Sequence, residues 1–280
     1  MPRPRCKDKF AYYLYGLTFL PHGVNPDHSC LRGIEGYPVR FLTIKDISVV
    51  YSKVPPEDYS RDSLEARLNN LNWLENRAHE HYQVQEAIMA RTGTALPFKF
   101  CTIFTTKKRM AEYVTDSYEG IENILTKLKG KQEWSVKVFV NKERLKAGIA
   151  QLNPHFRSFL KTQGESTGKN FLLGKKLLHD IEAEAAEYYR QQTTNLINNL
   201  RQACEEWRQN ETFPFPEKKG EEMVGNFAFL VNADHLQNFT SLMDAFNQRQ
   251  PRDSLYALYT GPWLPYNFVG ELGVDSCGRS

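Results

Sequence analysis

The hydrophobic and polar positions of this chain change period several times, and the changes mark out its elements. Between Leu96 and Phe104 apolar residues alternate. Leu96, Phe98, Phe100 and Phe104 fall on one face and Lys99, Cys101 and Ile103 on the other, the period-two pattern of a half-buried strand. Pro97 is tolerated there because the first residues of a strand need not donate to the ladder. Three rings on one face require a covering layer, so Phe98, Phe100 and Phe104 are expected in the core. Lys99 is expected at an edge or against an acid, since an unpaired buried ammonium is too costly. Phe10 to Phe19 has a strand's density of aromatic and β-branched residues, Pro21 to Cys30 reads as a loop, and Gly33-Ile34-Glu35-Gly36 as a turn. Tyr37 to Thr43 and Ile47 to Val54, either side of Lys45-Asp46, read as a hairpin that Pro55-Pro56 closes.

The period becomes helical from Asp62. Leu64, Leu68, Leu71, Leu74, Ala78, Tyr82, Gln85 and Ile88 share one face of a single helix, with Asp62 and Glu65 resembling a capping box and Gly93 placed to close it. Thr105-Thr106 can cap a second helix, Lys107 to Lys129. Its first turn carries Lys107, Lys108 and Arg109, where the helix dipole favours acids. They read either as screened surface charges or as a contact for an anionic partner.

Gly130-Lys131 marks a boundary, because a new cycle begins after it. Trp134 to Val140 is a strand with Trp134, Val136, Val138 and Val140 on one face; Asn141 caps a helix to Leu152, which Asn153-Pro154 interrupts. After a polar Gly164 to Asn170 loop, Leu178, Ile181, Ala185, Tyr188, Gln192, Leu196, Leu200, Ala203 and Trp207 keep a helical spacing. That helix would be about 50 Å long at 1.5 Å per residue, longer than a small domain is wide. Part of it should project or serve a partner. Phe213-Pro214-Phe215-Pro216 ends it, and a strand (Met223 to Val231), a helix (Ala233 to Asn247) and a strand (Ser254 to Thr260) follow. The order is ferredoxin-like, with one strand missing or hidden between residues 211 and 225. The expected organisation is α+β with two domains, residues 1–130 and 131–280. In the Gly261 to Val269 segment two prolines exclude a helix or a central strand, yet Trp263, Tyr266 and Phe268 can each bury a large area. The tail, residues 261–280, is therefore expected to dock on the N-terminal domain.

Composition narrows the function. With 280 residues, 41% hydrophobic and 25% charged, the chain is ordinary for a globular protein. A net charge of +3 gives no reason to expect nucleic acid, and no apolar run approaches the roughly 20 residues that span a bilayer. Arg3, Arg5, Lys7 and Lys9 ahead of Phe10 to Leu20 imitate a signal peptide, but Tyr12, Tyr13, Tyr15 and Gly16 interrupt the run and no small-x-small site follows. Residues 1–9 read instead as a basic arm without regular structure. Five scattered cysteines without a Cys-x-x-Cys suit a reducing cytoplasm.

Candidate chemistry is sparse. Gly164-Glu165-Ser166-Thr167-Gly168-Lys169-Asn170 has three residues between its glycines and Asn after the lysine, where a phosphate loop needs four and a hydroxyl. His79 and His81 point to opposite sides of a helix and cannot share a metal. His22 and His28 lack ligands at metal spacing, the acids Asp180, Glu182, Glu184 and Glu187 read as a solvated face, and no Gly-x-Ser-x-Gly occurs. No catalytic set, cofactor site or metal site emerges.

Five segments together resemble the gas vesicle GvpF/GvpL family. They are Tyr13-Leu14-Tyr15-Gly16; Gly33-Ile34-Glu35-Gly36-Tyr37-Pro38-Val39; Trp73-Leu74-Glu75 with Ala78-His79; Leu96 to Phe104; and Thr260-Gly261-Pro262-Trp263-Leu264-Pro265-Tyr266-Asn267-Phe268-Val269. The last two are the specific ones, and the resemblance covers nearly the whole chain. The family usually has Arg at Lys99, Gly at Cys101, Pro at Thr167 and Pro at Leu264, departures that bear on local backbone. The resemblance implies two domains, the second a modified ferredoxin-like fold with a long helical insertion. It also implies a non-catalytic accessory role, without cofactor, in nucleating or assembling gas vesicles, the gas-filled protein shells of prokaryotic cells. The implied partners are the small amphipathic major shell protein and other accessory proteins, with no nucleic acid or lipid membrane, in the cytoplasm or at the vesicle. Candidate contact surfaces are Lys107, Lys108 and Arg109, and the helix from Leu172 to Trp207 with Tyr188, Leu196 and Trp207. The rival function is a nucleotide-dependent switch or an enzyme that uses the Gly164 to Asn170 loop.

Overall fold

Strand β1, Ala11–Phe19, is buried along eight of its nine residues, because it has neighbours on both sides. β2 (Val39–Ile44) and β3 (Ile47–Val54) form the hairpin, antiparallel with Ile44 opposite Ile47, and β3 pairs with β1 over its whole length. On its other side β1 takes two short strands, β4 (Leu96–Pro97) and β5 (Ile103–Phe104), so the sheet order is β2-β3-β1-β4 with β5 also on β1. Gly16 lets β4 come close, since a Cβ there would lie 2.8 Å from the Leu96 carbonyl oxygen. In this computed structural model, residues 9–19, 31–161, 168–214, 220–249 and 254–270 are described. The basic arm through Lys7, the His22 and His28 loop, Gly164 to Thr167 and the tail beyond Gly270 fall outside them.

The chain divides into two compact units, one built from residues up to Gln132 together with residues from Leu264 onward, the other from Glu133–Trp263. Among the described residues, the first holds the β1 sheet and four α-helices. α1 (Arg61–Leu68) is capped by Ser60, whose side chain accepts from the Ser63 amide, and α2 (Leu71–Thr92) by Asn70, which accepts from the Trp73 amide. The single helix expected from Asp62 is thus two, and Asp62 is not its cap. Asn69 and Asn70 side chains bond the nearby backbone, which competes with continuing a helix. Gly93 does close α2 in the left-handed region. Similarly, the helix expected over Lys107 to Lys129 turns at Ser117 (φ −97°, ψ 11°) into α3 (Lys107–Asp116) and α4 (Tyr118–Leu128).

The continuous strand expected over Leu96 to Phe104 is a correction too. Between β4 and β5 the chain makes a turn in which the Thr102 amide and hydroxyl donate to the Lys99 carbonyl at 3.2 and 2.8 Å, with Cys101 at φ +64°. Period-two alternation therefore fails inside the stretch. Phe98 is buried, Phe100 and Phe104 are half-buried, and Lys99 is exposed on the turn.

The second unit begins on β6 (Lys131–Val140) and runs through α5 (Lys142–Leu152), α6 (Pro154–Lys161), α7 (Gly168–Leu200), β7 (Glu206–Gln209), β8 (Glu222–Asn232), α8 (Leu236–Arg249) and β9 (Leu255–Trp263), in sheet order β7-β8-β6-β9. Strand, helices, strand, strand, helix, strand is the ferredoxin-like order. The strand sought between 211 and 225 lies upstream, at β7. Consequently the long helix stops at Leu200, and Trp207 sits on β7 opposite Phe229. Its spacing from Ala203 fits a helix by coincidence. Val136, Val138 and Val140 of β6, Phe227, Phe229 and Val231 of β8, Ala185, Leu196 and Leu200 of α7, and Phe239, Met243 and Phe246 of α8 form the core. Asn247 reaches the edge strand β9, accepting from the Ala257 amide at 2.8 Å and donating to its carbonyl at 2.9 Å, so α8 occupies part of that edge.

β9 continues through Gly261 and Pro262 to Trp263, which pairs with Glu133. Trp263 is 44% exposed with its indole N–H on the Thr260 hydroxyl; the burial expected of it is not found, because it still belongs to an edge strand. Leu264, Phe268 and Val269, by contrast, are buried in the first unit.

Candidate functional site

In the first unit a polar network lies inside an aromatic cluster, with Tyr266, expected to be buried but 38% exposed, at its rim. Its hub is the Phe98 carbonyl, which accepts from His81 Nε2 at 3.0 Å and Gln85 Nε2 at 2.9 Å. Because Nε2 faces a carbonyl it carries the ring proton, so Nδ1 accepts from the Tyr13 hydroxyl at 3.0 Å, and that hydroxyl accepts from the Cys101 amide at 3.1 Å. Gln85 Nε2 also donates to the Tyr15 carbonyl at 2.7 Å, leaving Oε1 to accept from the Tyr266 hydroxyl at 2.6 Å; that hydroxyl is 3.1 Å from the Phe98 oxygen. Tyr15 donates to Ser52 and accepts from the Ile34 amide, both at 2.9 Å. Rings of Tyr13, Tyr15, Tyr59, His81 and Phe100 pack edge-on or tilted around it.

Burial controls the titration of this cluster. It pushes the His81 imidazole down to about 4, the Tyr15 and Tyr266 hydroxyls up to about 12, and Tyr13 well above its usual value. Tyr59 is raised by burial first and then by its hydrogen bond to Glu35. A neutral, solvent-excluded histidine with both nitrogens bonded holds the fold together and has no opening toward a substrate. Among the described residues no group of three His, Cys, Asp or Glu side chains is placed to hold a metal ion.

The second unit presents a groove instead. It has a volume of about 500 Å³ and is walled by α5 (Glu143, Lys146, Ala147, Ala150), α6 (Phe156, Arg157) and α7 (Leu178, Ile181, Glu182). Ala147 and Ala150 leave room along its α5 wall, and Lys146 bridges Glu143 at 2.6 Å and Glu182 at 3.3 Å across one end. Leu178, which lines it, is 56% exposed, and Leu152 at the end of α5 and Leu172 and Leu173 near the start of α7 are 78%, 68% and 48% exposed.

The candidate contact residues separate accordingly. Leu196 is buried in its own core, and Tyr188 and Trp207 are half-buried against it, so the C-terminal half of α7 is committed to the sheet. Only its N-terminal half leaves apolar side chains outward. Lys107, Lys108 and Arg109 are exposed, with Thr106 capping the Arg109 amide and Lys108 on Glu112. Of the proposed nucleotide loop, Gly168 to Asn170 form the start of α7. Sequence reasoning missed Tyr13, His81 and Gln85 as a network; Gln85, a polar residue at an apolar helix position, was the available signal. The groove residues of α5 carried none, because small and charged residues on a helix face read as surface.

Comparison with known proteins fits this architecture. The family model described as "Gas vesicle synthesis protein GvpL/GvpF" matches residues 11–270. Gas vesicle protein L of Streptomyces sp. (strain CB03234) is 28% identical over 268 residues, 94% of each chain. Gas vesicle protein F of Microcystis aeruginosa (strain PCC 7806) is 25% identical, over 92% of this chain and 97% of that one. Crystal structures of GvpF from Microcystis aeruginosa (TM-score 0.61, 22% identity, 92% of this chain and 98% of that one) and Anabaena sp. PCC7120 (TM-score 0.64, 18% identity, 93% and 96%) share the fold.

Proposed function

Given that this chain belongs to the GvpL/GvpF family of gas vesicle synthesis proteins, we propose that it is a non-catalytic accessory protein that binds the major shell protein and assists nucleation or assembly of the vesicle. It acts in the cytoplasm or at the growing vesicle, alongside other accessory proteins. The observation that carries the reading is the number of exposed leucines where α5 ends and α7 begins, Leu152 on α5 and Leu172, Leu173 and Leu178 on α7. Covering these side chains with a partner's apolar surface would remove apolar area from water and favour association. No helix among the described residues is long and apolar enough to cross a membrane.

Apolar contact survives salt, which screens exposed charge pairs but leaves apolar burial intact or stronger. The test is co-purification with the major shell protein at low and high salt, without nucleotide. A complex that persists at high salt is expected. Loss at high salt would move the contact to Lys107, Lys108 and Arg109, and absence of a complex at either salt would end the assembly reading.

A further inference from the structure

The groove between α5, α6 and α7 is specific enough to say what kind of segment it takes. Its α5 wall runs from Glu143 to Gln151, about two helical turns, and its floor is small and apolar, with Ala150 and Ile181 buried and Ala147 open. All three walls are helices, whose backbone groups are bonded internally, so an extended peptide laid there would bury amides and carbonyls without partners. A helix brings its own hydrogen bonds. The two ends differ in charge. One end carries Glu143, Lys146 and Glu182, bridged to one another with one acid in excess. At the other, where α5 ends, the Arg157 guanidinium approaches the Leu152 carbonyl at 3.5 Å, and exposed Leu178 also lines the groove.

We propose that this groove binds an amphipathic helix of a partner protein, which places apolar side chains spaced i, i+3 or i+4, and i+7 over Ala147, Ala150 and Leu178, an acidic first turn toward Arg157 and a basic last turn toward Glu143 and Glu182. That order of charge is the one a helix prefers for its own dipole, so the binding face and the partner's helicity reinforce each other. The inference rests on the proposed role only in supposing a protein partner; which protein supplies the helix is a separate matter.

The probe is a synthetic amphipathic helix of about five turns with leucines at those spacings, acidic residues in its first turn and basic ones in its last, compared with a peptide whose end charges are exchanged. Fluorescence anisotropy with the full chain should give saturable one-to-one binding, and the exchanged peptide should bind at least about fivefold more weakly, increasingly so at low salt. Leu178→Asp and Ala147→Trp, both at exposed positions and checked by circular dichroism, should each weaken binding by about tenfold or more. No saturable binding, equal binding of the two peptides, or full binding by both variants would overturn the proposal. So would a wild-type dimer that Leu178→Asp converts to a monomer, because a second copy would then be the occupant. A variant that loses the peptide yet retains the shell protein would keep the groove as a helix site and show that the shell protein is held elsewhere.

Discussion

The Tyr266 hydroxyl donates to Gln85 Oε1 at 2.6 Å across 181 residues of sequence. Through that bond, and a 3.1 Å approach to the Phe98 carbonyl, the segment after β9 joins the innermost polar cluster of the first unit. Removing the hydroxyl leaves a buried amide oxygen without a donor, a loss of about 1–3 kcal/mol. Tyr266→Phe should lower the urea midpoint accordingly, and an unchanged midpoint would show that water replaces the tyrosine.

Neighbouring aromatics in the same segment should differ sharply. Phe268 is 2% exposed and Trp263 44%, so Phe268→Ala should cost about 3–5 kcal/mol and Trp263→Ala about 0.5. Equal effects on thermal unfolding would contradict this placement.

His81 makes a pH prediction. Its folded value of about 4 lies below the unfolded value of about 6.5, so between the two the unfolded chain binds more protons. Stability present at neutral pH is then lost as pH falls through that window, by about 3 kcal/mol in all. His81→Gln should be less stable at pH 7, with a deficit that shrinks toward pH 4.5. A deficit independent of pH would mean that the imidazole titrates normally in the fold.

Cys101 stands at φ +64°, a conformation costing a side chain about 1–2 kcal/mol and one that glycine adopts freely. Cys101→Gly should be within about 1 kcal/mol of wild type, because relief of strain offsets a small loss of packing. Cys101→Val should be clearly destabilised. A valine variant as stable as the glycine one, measured by denaturant titration, would remove the backbone explanation.

Gly33 is set by space. A Cβ there would fall 1.9 Å from the Tyr15 hydroxyl, which must stay to accept from the Ile34 amide and donate to Ser52. Gly33→Ala should cost about 1–3 kcal/mol by overpacking, and Tyr15→Phe in the same chain should recover part of it. No recovery in the double-mutant cycle would place the strain elsewhere.

Much of the fold follows from local pattern. The β2 and β3 hairpin around Lys45-Asp46, the Asn141 cap of α5, the Gly93 stop of α2 and the valine face of β6 depend on turn chemistry, capping and periodicity, which act over a few residues and are visible in any window of the chain. Where local rules compete, tertiary contacts decide. Leu96 to Phe104 alternates like one strand, yet only Leu96–Pro97 and Ile103–Phe104 pair with β1 in strand register, and the turn between them brings the Cys101 amide to the Tyr13 hydroxyl. Trp207 keeps a helix's spacing but takes a strand because β8 offers it a partner. Asp62 yields to Ser60 and Asn70 as caps. The clearest limit is Phe98, whose carbonyl gathers His81 and Gln85 from α2 and approaches Tyr266 from beyond β9. Nothing in those side chains' spacing announces a shared acceptor, since a backbone oxygen has no signature in sequence and only folding can bring its donors to it. The same holds for the groove, where ordinary surface residues of three helices become a binding shape only once α5, α6 and α7 are packed together.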